Sequence, residues 1–192
     1  MQKPDAETFC PTSRKDWREW LEKHHRSKPS VWIVYYKKGS KVPSITYNEA
    51  VEEALCFGWI DSVKKTLDHE RFTQFFSKRK PKGTWSKVNK EKVKQLIASE
   101  LMFPAGHEAI AIAQQNGSWI ILDEVEELVI PKDLAKAFKA HKGSKDFFMA
   151  LSKSVKKAML QWLALAKQPA TREKRISEIA ELAGNGKKPK QF

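Results

Sequence analysis

Hydrophobic positions along this 192-residue chain fall into two textures. In the first, short helical stripes alternate with β-branched and aromatic runs. Trp17, Trp20, Leu21 and His24 share one helical face behind Ser13, a good N-cap, with Asp16 in the first turn, and the helix is expected to reach about Arg26. Residues 31–36, Val-Trp-Ile-Val-Tyr-Tyr, read as a strand. Thr46 and Glu49 form a T-x-x-E capping box for a helix that carries Ala50, Val51, Ala54 and Leu55 inward and stops at Gly58. Residues 59–67 and 71–76 read as two strands joined by a short turn, followed by a basic loop containing Pro81 and Gly83. Ser86 opens a helix with Val93, Leu96 and Ile97 inward, and Pro104 suits the first position of the next, which ends at Asn116-Gly117.

From Pro131 the texture becomes helical throughout. Leu134 and Phe138, then Phe147, Phe148 and Leu151, mark two short helices. A longer stripe carries Val155, Met159, Trp162 and Leu163, and Pro169 breaks it. Thr171 is the expected cap of a last helix with Ile176, Ile179 and Ala183 inward. The fold class expected is therefore α+β: a small antiparallel sheet with flanking helices, then an all-helical module. The α+β domain is expected over 13–130, with an irregular stretch at 118–130, and the basic helical module over 131–185. Residues 1–12 and 186–192 read as flexible.

Charge sharpens this division. Residues 131–192 hold 15 Lys+Arg against 5 Asp+Glu, whereas residues 1–130 hold 21 against 18. Most of the net charge of +13 thus belongs to the second texture, and a positive field attracts anions such as nucleic acid, phosphorylated ligands or acidic proteins. No apolar run approaches the roughly 18 residues a membrane span needs, and residues 1–14 hold no apolar stretch of the secretory kind. These features predict a cytoplasmic protein. Cys10 and Cys56 lack a CxxC partner, and Cys56 reads as a small buried hydrophobe.

Three stretches carry a family resemblance: Ala54-Leu-Cys-Phe-Gly-Trp-Ile-Asp-Ser62; Phe76-Ser-Lys-Arg-Lys-Pro-Lys-Gly-Thr-Trp-Ser-Lys-Val-Asn89; and, near the C-terminus, Phe147–Leu151, Trp162 and the run from Pro169 to Ile176. Together they resemble the bacteriocin-protection, YdeI/OmpD-associated family over roughly Trp17 to Ala183, the first two being the more distinctive. The resemblance implies protection against bacteriocins and cationic antimicrobial peptides, and stress tolerance. It implies no reaction, cofactor or catalytic residue. Lys78 stands where that family often has Thr or Pro, which makes the loop more basic.

Chemistry-bearing candidates cluster in the first two stretches. In a strand, Trp59 and Asp61 share a face and form the floor of a pocket, or else serve as core and as a paired acid. Arg79 and Lys80 offer cations on the following loop, and Trp85, Ser86 and Asn89 stand at a helix start, where free N–H groups favour anions. Arg79 is alternatively a bidentate partner for Asp61. Arg172, Lys174 and Arg175 form a second anion or nucleic-acid candidate at the start of the last helix. The five histidines lack metal-ligand spacing, and neither a P-loop nor a G-x-S-x-G elbow occurs. No metal, cofactor or catalytic residue is assigned. The leading expectation is a non-enzymatic binding or stress-protection protein that takes a small anionic ligand or an acidic protein partner. The alternatives are a nucleic-acid-associated protein, the less favoured because aromatic interleaving is missing from the basic helices, and an enzyme acting on a small acidic substrate.

Overall fold

The computed structural model describes residues 7–192, and the chain divides into two compact units, with the division between Trp119 and Ile120. The first is built on a four-stranded sheet of order β1-β2-β4-β3, with β1 Thr8–Phe9, β2 Ser30–Tyr36, β3 Trp59–Thr66 and β4 Arg71–Lys78. The central pairs are antiparallel, Val31 facing Phe76 and Asp61 facing Phe76 from the other side. A register shift between Asp61 and Lys64 marks a bulge in β3. The sheet departs from the purely antiparallel expectation at one edge, because β1 pairs parallel to β2. Part of the stretch expected to be flexible is thereby structured: Phe9 packs on the core, stacked against Trp20. The rest of it, residues 1–6, lies outside the described residues.

The helices of this unit begin where the sequence places their caps. Ser13 accepts from Asp16 N at 3.2 Å to open α1 Arg14–His24. Thr46 and Glu49 close the reciprocal capping box of α2 Tyr47–Cys56. Ser86 accepts from Asn89 N at 3.3 Å to open α3 Lys87–Ala98, and Pro104 takes the first position of α4 Pro104–Gln115. Trp17, Leu21, Ile33, Leu55, Cys56, Trp59 and Phe76 fill the core between sheet and helices. On α1 the buried histidine is His25, at the C-cap, while His24 remains beside the Trp20 ring. Ile97, expected inward, is largely exposed.

Two glycines set how closely α2 approaches α4. Gly58 sits at φ +71, and a Cβ there would lie 2.8 Å from Ala105 O. A Cβ on Gly106 would lie 2.3 Å from Cys56 O. Backbone meets backbone at both places, so only glycine fits.

The second unit is helical: α5 Asp123–Glu126, α6 Lys132–Ala140, α7 Ser144–Ala150, α8 Lys153–Ala164 and α9 Pro169–Gly184. It begins before the expected boundary at 130/131 because Leu122 and Val125, within the stretch read as irregular, belong to its core with Leu134, Phe148 and Leu163. The helix α9 starts at Pro169 rather than at Thr171, proline serving as an opener and not only as a breaker. The tail expected to be flexible instead folds back, with Phe192 packed edge-on against Trp162.

Candidate functional site

A cavity of about 260 Å³ opens in the first unit where the end of α1, the α2–β3 turn, the end of β4 and one face of α4 converge. Phe57, Gly58 and Trp59 line it from the turn, Lys78, Arg79, Lys80 and Pro81 from the end of β4, and Ala105, Glu108, Ala109 and Ile112 from α4. His25, Arg26 and Trp85 complete the wall. Among the described residues, four side chains of fixed positive charge (Arg26, Lys78, Arg79 and Lys80) thus face a single carboxylate, Glu108.

Arg79 holds the centre of this arrangement. Its backbone N–H donates to Gly58 O at 2.9 Å, which extends the strand pairing past β4. Pro81, two residues on, is pinned through its carbonyl by Asn116 Nδ2 at 2.7 Å and Ser118 Oγ at 3.3 Å. The guanidinium stacks on the Trp85 ring, 3.5 Å from its centroid, and Nη1 donates to Thr84 O at 3.1 Å. Its Nε and Nη2 are buried and have no hydrogen-bond partner among the described residues. Burial pushes its pKa down to about 10, offset only in part by the charge of Asp61. A charged group left with two unused donors in a low-dielectric setting costs several kcal/mol.

The bidentate Arg79–Asp61 bridge does not form. Asp61 instead accepts from Tyr47 Oη at 2.8 Å and Gln74 Nε2 at 3.0 Å. That contact, after burial, holds the Tyr47 phenol up at about 12. Asp61 does not line the cavity.

The remaining candidates separate into three groups. Trp59, Arg79, Lys80 and Trp85 come together at the cavity. Trp59 is fully buried, its Nε1 donating to His25 O at 3.4 Å, so it is both core and wall. Ser86 and Asn89 build the α3 cap instead. In the second unit, Arg172 grips Asp133 through Nε at 2.7 Å and Nη2 at 3.1 Å, and Leu163 O through Nη1 at 2.9 Å. Arg175 donates to Trp162 O and lies over the Trp162 ring. Two of the three cations proposed for nucleic acid therefore close the C-terminal end of α8, and only Lys174 of the three stays exposed.

His25 and the α4 wall carry no sequence signal that marks them as site residues. His25 Nδ1 lies 2.8 Å from Leu21 O, and its Nε2 is buried without a partner among the described residues. The nearest sequence signal for the α4 wall is Gly106, a glycine inside a helical pattern, which marks close backbone packing.

The architecture is that of an α+β domain with a cationic, aromatic-walled cavity, followed by a helical module. Over residues 9–109 the chain matches, and so belongs to, the family described as Domain of unknown function (DUF8412). Residues 127–186 match the bacteriocin-protection, YdeI or OmpD-associated family. The expected resemblance is thus found over the C-terminal part, and at the level of the family it suggests a role of the bacteriocin-protection kind. No curated protein and no solved structure matches the chain.

Proposed function

We propose that this chain is a cytoplasmic, non-enzymatic protective protein that binds a small anion in the Arg79 cavity. The observation that carries this reading is the buried guanidinium with two unused donors and no carboxylate paired to it among the described residues. An anion supplies the missing acceptors and the missing charge together, and charge-assisted hydrogen bonds are the strong ones. Nε and Nη2 are shielded from solvent, so the ligand reaches them through a small slide of the guanidinium across the Trp85 face. A cation stacked on a ring tolerates such a slide because the attraction is only weakly directional in the plane. Lys78 and Lys80 draw the anion in.

Protection through direct capture of cationic peptides is disfavoured by a net charge of +13. The protective effect therefore runs through the bound anion. The test is calorimetric titration of the whole chain with inorganic phosphate, beside the Arg79→Met variant. The reading expects one saturable site in the parent and at least tenfold weaker binding in the variant. Equal affinity in the two proteins, or no binding to either, contradicts it.

A further inference from the structure

The cavity holds a second unsatisfied group of the opposite kind. His25 is only 6% exposed. A carbonyl oxygen can only accept, so the 2.8 Å contact with Leu21 O places a proton on Nδ1. In the neutral ring Nε2 is then a bare acceptor, and it has no partner among the described residues. Arg26, Lys78, Arg79 and Lys80 line the same cavity, with Glu108 as the one carboxylate among its described lining residues. His25 Nε2 is shielded from solvent as the two Arg79 nitrogens are, so a small turn of the ring, like the slide of Arg79, brings it to a ligand; the site then offers donors from Arg79 and an acceptor from His25.

Few anions satisfy both. A carboxylate that donates a proton is no longer an anion, and a sulfate ester has no proton to give near neutral pH. A phosphate monoester carries a second ionisation near pH 6, so it can present two oxygens to Arg79, donate one O–H hydrogen bond to His25 Nε2 and still bear charge. Size adds a further condition. A cavity of about 260 Å³ is more than a bare tetraoxo anion fills. The remaining wall, formed by Phe57, Ala105, Ala109 and Ile112, is apolar.

We infer that the ligand of this cavity is a phosphate monoester of a small apolar alcohol, with its phosphate between Arg79 and His25 and its apolar body along α4. This rests on the anion reading above and narrows it to one chemical class.

The test is titration of the whole chain at pH 7.5 with phenyl phosphate, phenyl sulfate and inorganic phosphate. Phenyl phosphate is expected to bind at least tenfold tighter than either. Ile112→Ser, at a position 42% exposed and so tolerant of change, should remove the gain over inorganic phosphate. His25→Phe, which keeps an aromatic ring against Phe57 and Phe103, should shrink the gain over phenyl sulfate. If that variant does not fold, titration of the parent in two buffers of different ionisation enthalpy reads the same point as proton uptake on binding phenyl phosphate. Phenyl sulfate as tight as phenyl phosphate, or no proton uptake, overturns the role of His25. Inorganic phosphate as tight as phenyl phosphate overturns the apolar body. Both results leave anion binding at Arg79 standing, whereas no binding by any of the three overturns both readings.

Discussion

Arg79 of the α+β unit and Arg172 of the helical unit are alike in sequence terms: each is a cation in a basic stretch beside a helix. The fold treats them oppositely. Arg172 uses three nitrogens on Asp133 and the Leu163 carbonyl, so its charge is consumed in holding α9 against α6 and the end of α8. Arg79 lies deep enough for burial to lower its pKa, yet it keeps two donors free. The contrast teaches that net charge alone does not decide which region binds anions. Where each cation finds its partner decides it. Divided between Trp119 and Ile120, the two units carry similar net charge, 21 Lys+Arg against 14 Asp+Glu in the first and 15 against 9 in the second; the helical unit spends two of its candidate arginines on its own fold, and the α+β unit leaves one guanidinium unmet.

The largest effect that sharpens this comparison comes from a third arrangement, in which arginines meet a buried carboxylate. Glu53, 2% exposed, takes Arg14 at 2.6 Å and Arg18 at 2.8 Å. Glu53→Ala should destabilise the first unit by about 3 kcal/mol, since removing one member of a buried ionic cluster leaves its partners uncompensated. Urea unfolding followed by tryptophan fluorescence measures it.

A smaller loss, about 1 to 2 kcal/mol, is expected for Arg172→Met, from a partly exposed ion pair and a carbonyl contact. This one depends on pH. Its bond to Arg172 holds the Asp133 carboxyl below the usual range. The stabilisation is present above the ordinary Asp pKa of about 3.9 and fades as pH falls through the lowered folded value. The gap between parent and variant should therefore narrow below about pH 4. A gap constant from pH 7 to pH 3 would break the assignment of Arg172 as a structural cation.

The smallest effect on stability belongs to Arg79→Met. Its folded pKa lies below that of an ordinary arginine, so the charged form is disfavoured by folding at every pH below about 10. Exchange for an apolar side chain of similar length should leave the melting temperature unchanged or raise stability by up to about 1 kcal/mol. A loss above about 2 kcal/mol would erase the contrast with Arg172 and make Arg79 a fold residue.

Much of the fold is legible along the chain because it is written in short-range patterns. The caps at Ser13, Thr46 and Ser86, the turn at Gly58 and the Pro104 opener each act over a few residues, and each operates as its local pattern predicts. The cavity is only half legible. Trp59, Arg79, Lys80 and Trp85 stand within one motif-rich stretch, but His25 arrives from α1 and the apolar wall from α4, and no local pattern links them. The pairing of Asp61 with Arg79 is chemically reasonable, yet Tyr47 and Gln74 reach that carboxylate. Whether an arginine is satisfied depends on competition among partners far apart in sequence. The early start of the second unit has a similar cause, since Leu122 and Val125 find their neighbours on helices that come later.

The central claim is that the Arg79 guanidinium itself receives the ligand. Nitrogen-15 NMR of the arginine Nε–H signals, with the Arg79 resonance assigned by its loss in Arg79→Met, tests it most directly during titration with phenyl phosphate. The account predicts a saturating downfield shift of the Arg79 Nε–H proton, with the same midpoint as calorimetry and no comparable change at Arg172. Saturable binding with the Arg79 signal unmoved, or an equal shift at Arg172, would contradict it.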